Sequence, residues 1–238
     1  RLNAFRIGLA DTSIGAMIDR AGQVGRLDAA DLNYPDHFGD LSTQDLARRL
    51  ADNGMALNGL AMRYYTDPGF KLGAFTHPDR KVRAAAIDIT RRGLDALAEM
   101  GGDLMTLWMG QDGFDYSFQG DYGAMWDDTI DALGQVADHD PARKIAIEYK
   151  PNEPRAHALM PDVATTLLAV KEVGRANIGV TLDFAHVLCA DEMPAHTACL
   201  IHRHSSLMGV HLNDGYGKRD DGLMAGTVHP VQTVELFV

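Results

Sequence analysis

The 238-residue chain has little cysteine: Cys189 and Cys199 are the only two, and they form no CxxC pair. That excludes a disulfide framework and fits a reducing compartment. No apolar run reaches the roughly 18 residues a membrane span requires, and no charged-then-apolar leader opens the chain. The expected location is cytoplasmic. Positive charge is also scarce, 22 Lys and Arg against 33 Asp and Glu, for a net charge of -11. Such a field repels phosphate backbones and anionic lipid, so neither nucleic acid nor membrane is an expected partner. Two phosphate-binding signatures are missing as well. The segment GLADTSIG lacks GxGxxG spacing, and GxxxxGK[ST] occurs nowhere, which removes dinucleotide and P-loop chemistry.

Hydrophobic residues are plentiful at 46%, enough for one conventional core, and no linker or change of composition divides residues 1–238. A single domain is expected. Seven short apolar runs, at 6–10, 29–33, 56–62, 103–109, 144–149, 177–183 and 206–212, alternate with segments of helical period. In one such segment Val82, Ala86, Ile89 and Leu97 form a stripe, with Arg83, Arg91, Arg92 and Asp95 elsewhere. In another Pro161 suits a first helical turn and Gly174 a C-terminal cap. This alternation predicts an α/β fold, either a doubly wound sheet or a (β/α)8 TIM barrel. The chain starts at Arg1 and stops inside HPVQTVELFV, which reads as a helix just begun. An eighth strand and the C-terminal part of a barrel are therefore expected to lie outside it.

Polar residues at strand ends favour the barrel, which keeps its chemistry at the C-terminal ends of its strands. Glu148, Asp183 and His211 end three successive apolar runs, and neighbouring strands would bring them onto one rim. Two carboxylates and an imidazole suit a divalent ion such as Mn²⁺, Mg²⁺, Co²⁺ or Zn²⁺ and leave room for substrate oxygens. Taken singly, a strand-end acid is more often a cap or a surface ion pair. His186 follows Asp183 by one turn in TLDFAH, and KRDDG supplies Asp220 and Asp221 after the His211 run. Lys150 shares a strand end with Glu148 and could hold a substrate oxygen, the alternative being a surface pair with Glu153. Trp108 could stack on a sugar face or close the core. His37, in LNYPDHF, could act as a general acid or base in the same mouth.

The run EYKPNEPR, 148–155, is very similar to the signature of xylose isomerases on their fifth barrel strand. FTHPDRKVRAAAI, GVTLDFAH and GVHLNDGYGKRDDGLMAG resemble further segments of that family, nearest in detail to its L-rhamnose isomerase branch. The resemblance implies one metal held by Glu148, Asp183 and His211. It implies a second held by Asp183, His186 and the Asp220/Asp221 loop, with Mn²⁺ as the first choice. It further implies Lys150, His37 and Asp221 as catalytic groups, Lys150 on the substrate's carbonyl oxygen and Trp108 as pocket wall. The substrate would be an open-chain sugar, with a hydride moving between its first two carbons. Homo-oligomers, dimers or tetramers, are common in such proteins.

Three departures qualify the match, the first being that LNYPDHFGD, around His37, does not reproduce the usual histidine context of xylose isomerases. The family expects a further carboxylate from an eighth strand, and its two loop acids are separated by one residue where Asp220 and Asp221 are adjacent. Relatives of the same barrel include one-metal ketose 3-epimerases and the metal subunits of C-glycoside deglycosidases, which work beside a small second subunit. DLNYPDHF, FDYSFQGDY and DDGLMAGTVH resemble the latter. A keto-sugar epimerase or lyase is thus the alternative to an aldose–ketose isomerase, and metal count separates them. A non-catalytic sugar-binding barrel would need the three ligands to fail. An endonuclease of the same superfamily would need a basic groove, which the net charge opposes.

Overall fold

A computed structural model describes Gly8 and residues 10–238. In chain order the elements are α1 (Ile14–Gly22), β1 (Ala29–Tyr34), α2 (Thr43–Asp52), β2 (Ala56–Met62), α3 (Arg80–Glu99), β3 (Leu104–Leu107), β4 (Gly113–Phe114), α4 (Tyr122–His139), β5 (Lys144–Glu148), β6 (His157–Ala158), α5 (Val163–Val173), β7 (Ile178–Asp183), α6 (Phe184–Cys189), α7 (Pro194–His204), β8 (Leu207–His211) and α8 (Pro230–Phe237). Six strands form one parallel sheet in the order β1-β2-β3-β5-β7-β8, while β4 and β6 pair antiparallel at the rim. This is the expected barrel order with helical crossovers, and six of the seven apolar runs are its strands. The run at 6–10 lies largely outside the described residues.

The register sorts the side chains into two layers. Leu60, Met105 and Ile145 stand side by side across neighbouring strands, as do Leu107, Ile147 and Val180. All are at most 1% exposed, beneath the helices. Each such side chain contributes roughly 1.5–3 kcal/mol by leaving water. Residues of the other parity, among them Asp31, Gly59, Ala61, Thr106, Ala146, Glu148, Thr181 and Asp183, face the opposite side of the sheet. That inner face carries small and polar groups. It is why an apolar strand can end in Glu148 and then present Lys150, two residues on, to the same side.

The helices follow their sequence signals. In α3, Ala86 and Leu97 are buried with Val82 and Ile89 packed against the core. Pro161 falls outside α5, whose N-cap is Asp162, its Oδ1 accepting from the Thr165 N–H at 2.7 Å. Gly174 caps the other end in the left-handed region, at φ 64°, a conformation that glycine adopts without strain.

Candidate metal centre

The site begins with strand register. Glu148 pairs with Thr181, and Asp183 lies two residues further along β7 on the same face. Between β7 and β8 the ladder slips: Val180 pairs with Leu207 but Thr181 with Gly209, so that Asp183 stands opposite His211. Without that slip Asp183 would face Val210 and His211 would turn to the other side of the sheet. Gly179 permits the close approach, because a Cβ there would sit 2.5 Å from the Ser206 carbonyl oxygen.

Glu148, Asp183 and His186 are 2%, 6% and 4% exposed, and one ligand atom of each lies within 4.8 Å of the others. His186 Nδ1 is 3.6 Å from Glu148 Oε1, and its Nε2 is 3.9 Å from Asp183 Oδ1 and 3.5 Å from Asp220 Oδ2. His211 Nδ1 lies 3.3 Å from Glu148 Oε1 and 3.7 Å from Asp183 Oδ2. Five of the residues singled out in the sequence thus meet at one point. The supports are specific. The Tyr149 carbonyl lies 3.0 Å from His186 Nδ1 and accepts its proton, which turns Nε2 toward the acids. Asp183 caps α6, its Oδ1 accepting the His186 N–H at 3.1 Å.

Electrostatics point the same way. Burial pushes the Asp183 carboxyl up, and the neighbouring Glu148 charge adds to that, against His186, Asn213 and His211. Burial opposes charge on His186, yet Asp220, Asp183 and Glu148 outweigh it and raise the ring above its ordinary value. Asp220 is held low chiefly by its hydrogen bond with His186. Two buried carboxylates side by side with imidazole nitrogens form a borderline-hard donor set that a divalent cation would neutralise, so the residues fit a metal.

Lys150 is 6% exposed and reaches Glu153 Oε2 at 2.8 Å and Asp220 Oδ2 at 4.0 Å. The Glu153 pair exists, but the lysine is buried at the site rather than lying on the surface. Its Nζ stands 5.5 Å from the Trp108 ring centroid, and Trp108 packs edge-on against Tyr65 at 5.1 Å. Arg63, Tyr65, Trp108, Glu148, Asp183 and His211 line a cleft of about 740 Å³.

Two sequence expectations are not brought to this point. Asp221 turns away from its neighbour Asp220: its Oδ2 accepts from the Tyr216 N–H at 2.9 Å and its Oδ1 from Arg219 Nε at 3.1 Å. Both oxygens are engaged in shaping the loop, and the Tyr216 bond holds this carboxyl low. His37 lines a separate hollow with Ser13, Met17 and Phe38. It is 7% exposed, its Nδ1 accepts the Asn33 N–H at 3.0 Å, and burial lowers its pKa to about 4. It is therefore a neutral ring near neutrality and does not line the cleft with the acids.

Other residues come from outside the sequence reading. Asn213 Nδ2 donates to Asp183 Oδ1 and Oδ2 at 3.0 and 3.2 Å, while its own Oδ1 accepts from the Ala185 N–H at 2.8 Å. Arg63, at the end of β2, donates to the Tyr65 hydroxyl and places its guanidinium 5.1 Å from that ring. Both follow the rule that exposed Lys150: Asn213 lies two residues past His211, and Arg63 two past Ala61.

A sequence profile described as xylose isomerase-like TIM barrel matches residues 19–233. The chain is 30% identical over 179 residues to the xylose isomerase of Thermus thermophilus, covering 73% of this chain and 46% of that protein. It thus spans about half the length of the curated relatives it matches. Among solved structures, a D-tagatose 3-epimerase-like protein superposes with a TM-score of 0.72 at 18% identity, over 88% of this chain and 77% of that one. A xylose isomerase domain protein from Alicyclobacillus acidocaldarius gives 0.68 at 17% identity, over 96% and 81%. These structural likenesses concern the fold. By the profile match over most of its length, and in keeping with its strand order, the chain belongs to the xylose isomerase-like TIM barrel family.

Proposed function

We propose that this chain carries the metal-binding half of a divalent-metal-dependent sugar isomerase or epimerase, acting on an open-chain keto sugar in the Trp108 cleft. The observation that supports it is the mutual approach of Glu148, Asp183 and His186 within 4.8 Å, with His211 beside them. These residues would hold Mn²⁺ or a similar ion, which polarises vicinal sugar oxygens as a Lewis acid. The remaining groups orient the sugar. Lys150 presents a fixed ammonium to a carbonyl or hydroxyl oxygen, and Trp108 with Tyr65 forms an apolar wall for the carbon face. Burial at 6% exposure keeps the ammonium out of bulk water, where its pull on an oxygen is stronger.

One compact cluster favours one ion, and with it proton transfer beside a carbonyl, the chemistry of an epimerase or lyase. The 3.5 Å contact of Asp220 with His186 favours the second reading. In that reading Asp183, His186 and Asp220 hold another ion and hydride transfer interconverts aldose and ketose. Elemental analysis of the full-length protein tests both. Wild type with one ion per chain, retained in Asp220→Ala, supports the one-ion reading. Two ions falling to one in that variant support the aldose–ketose isomerase, and no ion bound by wild type removes both.

A further inference from the structure

A small cavity behind the cleft's Trp108 is lined by two buried polar atoms with no hydrogen-bond partner among the described residues, the indole Nε1 of Trp108 and Oδ2 of Asp112. Asp112 is 2% exposed, and its other oxygen is fully used: Oδ1 accepts from the Ala74 and Thr76 N–H groups at 3.0 and 2.7 Å and from the Thr76 hydroxyl at 2.8 Å. Trp108 and Asp112 line the same small cavity with Gly110, Thr129, Glu148, Lys150 and Met160, and its volume is about 20 Å³. One water needs roughly 10–15 Å³ and at least two polar partners.

The chemistry of the two atoms selects the occupant. An indole N–H only donates and needs an acceptor, while a carboxylate oxygen only accepts and needs a donor. A cation would satisfy Asp112 and leave the indole unpaired, and an anion would do the reverse. Water does both in a space that holds one molecule. We propose that a single water occupies this cavity, accepting from Trp108 Nε1–H and donating to Asp112 Oδ2, and that Asp112 is thereby a positioning residue for the indole.

The rest of the ring's surroundings agree. Gly110 backs the indole so closely that a Cβ there would lie 2.5 Å from Cζ2, so the ring is fixed from behind by packing. The water would fix its N–H edge, while Lys150 and Tyr65 take up other parts of the ring's surroundings. Because Asp112 also clamps residues 74–76, the wall is tied to the loop that follows β2. Any bearing of this tie on a substrate rests on Trp108 being the wall of a sugar cleft; the water site itself does not.

Nuclear magnetic resonance of the ¹⁵N-labelled chain tests the site. Trp108 and Trp126 are the only tryptophans, and Trp126 Nε1 donates to Glu172 at 2.7 Å, so Trp126→Phe leaves the Trp108 indole signal alone. The expected result is a cross-relaxation peak between Trp108 Hε1 and water, with the sign of a long-lived molecule. Asp112→Asn is expected to move the Hε1 signal while Zn²⁺ affinity stays within about twofold of wild type. A missing water peak overturns the proposal, as does an Hε1 signal indifferent to Asp112→Asn. Loss of Zn²⁺ together with the water peak would make Asp112 a support of the ion and would overturn it too. Should Asp112→Asn fail to fold, the wild-type water peak decides alone.

Discussion

Asp183 and His211 face each other at the ends of β7 and β8 because the ladder passes over Met208. The geometry of the candidate site therefore depends on a backbone irregularity as much as on residue identity. Gly179, where a Cβ would meet the Ser206 carbonyl at 2.5 Å, is where that dependence can be probed. Gly179→Ala is expected to lose about 1–3 kcal/mol through overpacking against backbone that has nowhere to move. It should also weaken ion binding by shifting β8. Urea unfolding and a Mn²⁺ titration of the same variant measure the two effects, and an unchanged midpoint would refute the register argument.

The ion itself should stabilise the fold. Glu148 and Asp183 are buried together, and their mutual repulsion is relieved when a cation binds. At a hundredfold excess over its dissociation constant, Mn²⁺ should add about 2.7 kcal/mol. Asp183→Asn keeps an oxygen to cap α6 yet loses a charged ligand, so its stability should not respond to Mn²⁺. Thermal unfolding with and without Mn²⁺ checks this, and an Mn²⁺-dependent rise in the variant equal to that of wild type would contradict it.

Much of this centre was legible in the sequence, and the reason is alternation. Apolar runs ending in Glu148, Asp183 and His211 announce one layer facing helices and another ending in acids and an imidazole, and parallel strands in chain order do the rest. Three features were not legible. The slip at Met208 arises from contacts between strands distant in sequence. Which of two adjacent loop acids turns inward depends on Tyr216 and Arg219, which bond Asp221 and leave Asp220 for His186. His37 was read from its place just after the second apolar run and from the family resemblance, and chain direction after β1 carries it to another hollow. Asn213 and Arg63 could have been found by extending the alternation two residues beyond each run.

His37 gives the fold a distinct pH response. Burial holds its folded pKa near 4, below the ordinary 6.5, so between those values the unfolded chain binds a proton that the folded one refuses. The associated stability is complete above pH 6.5 and is lost as pH falls through the window toward 4, by roughly 3 kcal/mol in all. His37→Gln should flatten that part of the stability profile. Denaturant unfolding at pH 7, 5.5 and 4.5 would show it, and parallel profiles for variant and wild type would disprove the assignment.

An ionic latch holds the loop that carries Asp220. Asp214 is fully buried, its Oδ2 accepting the Val228 and His229 N–H groups at 2.8 and 2.9 Å, with the His229 ring 2.8 Å from Oδ1. Burial works to raise this carboxyl, but the His229 and Val228 bonds and the Gly215 N–H prevail and hold it at about 2. The folded value is depressed, so the stabilisation is present above the unfolded value near 4 and disappears as pH falls through about 2. Its size at neutrality is roughly 2 kcal/mol. Asp214→Asn should therefore be less stable than wild type at pH 7, with the difference narrowing as the pH falls below 4. The same variant should loosen residues 214–229, so backbone hydrogen exchange there should rise while exchange in β5 stays protected. Uniform exchange across both regions would show that Asp214 serves the whole fold rather than this loop.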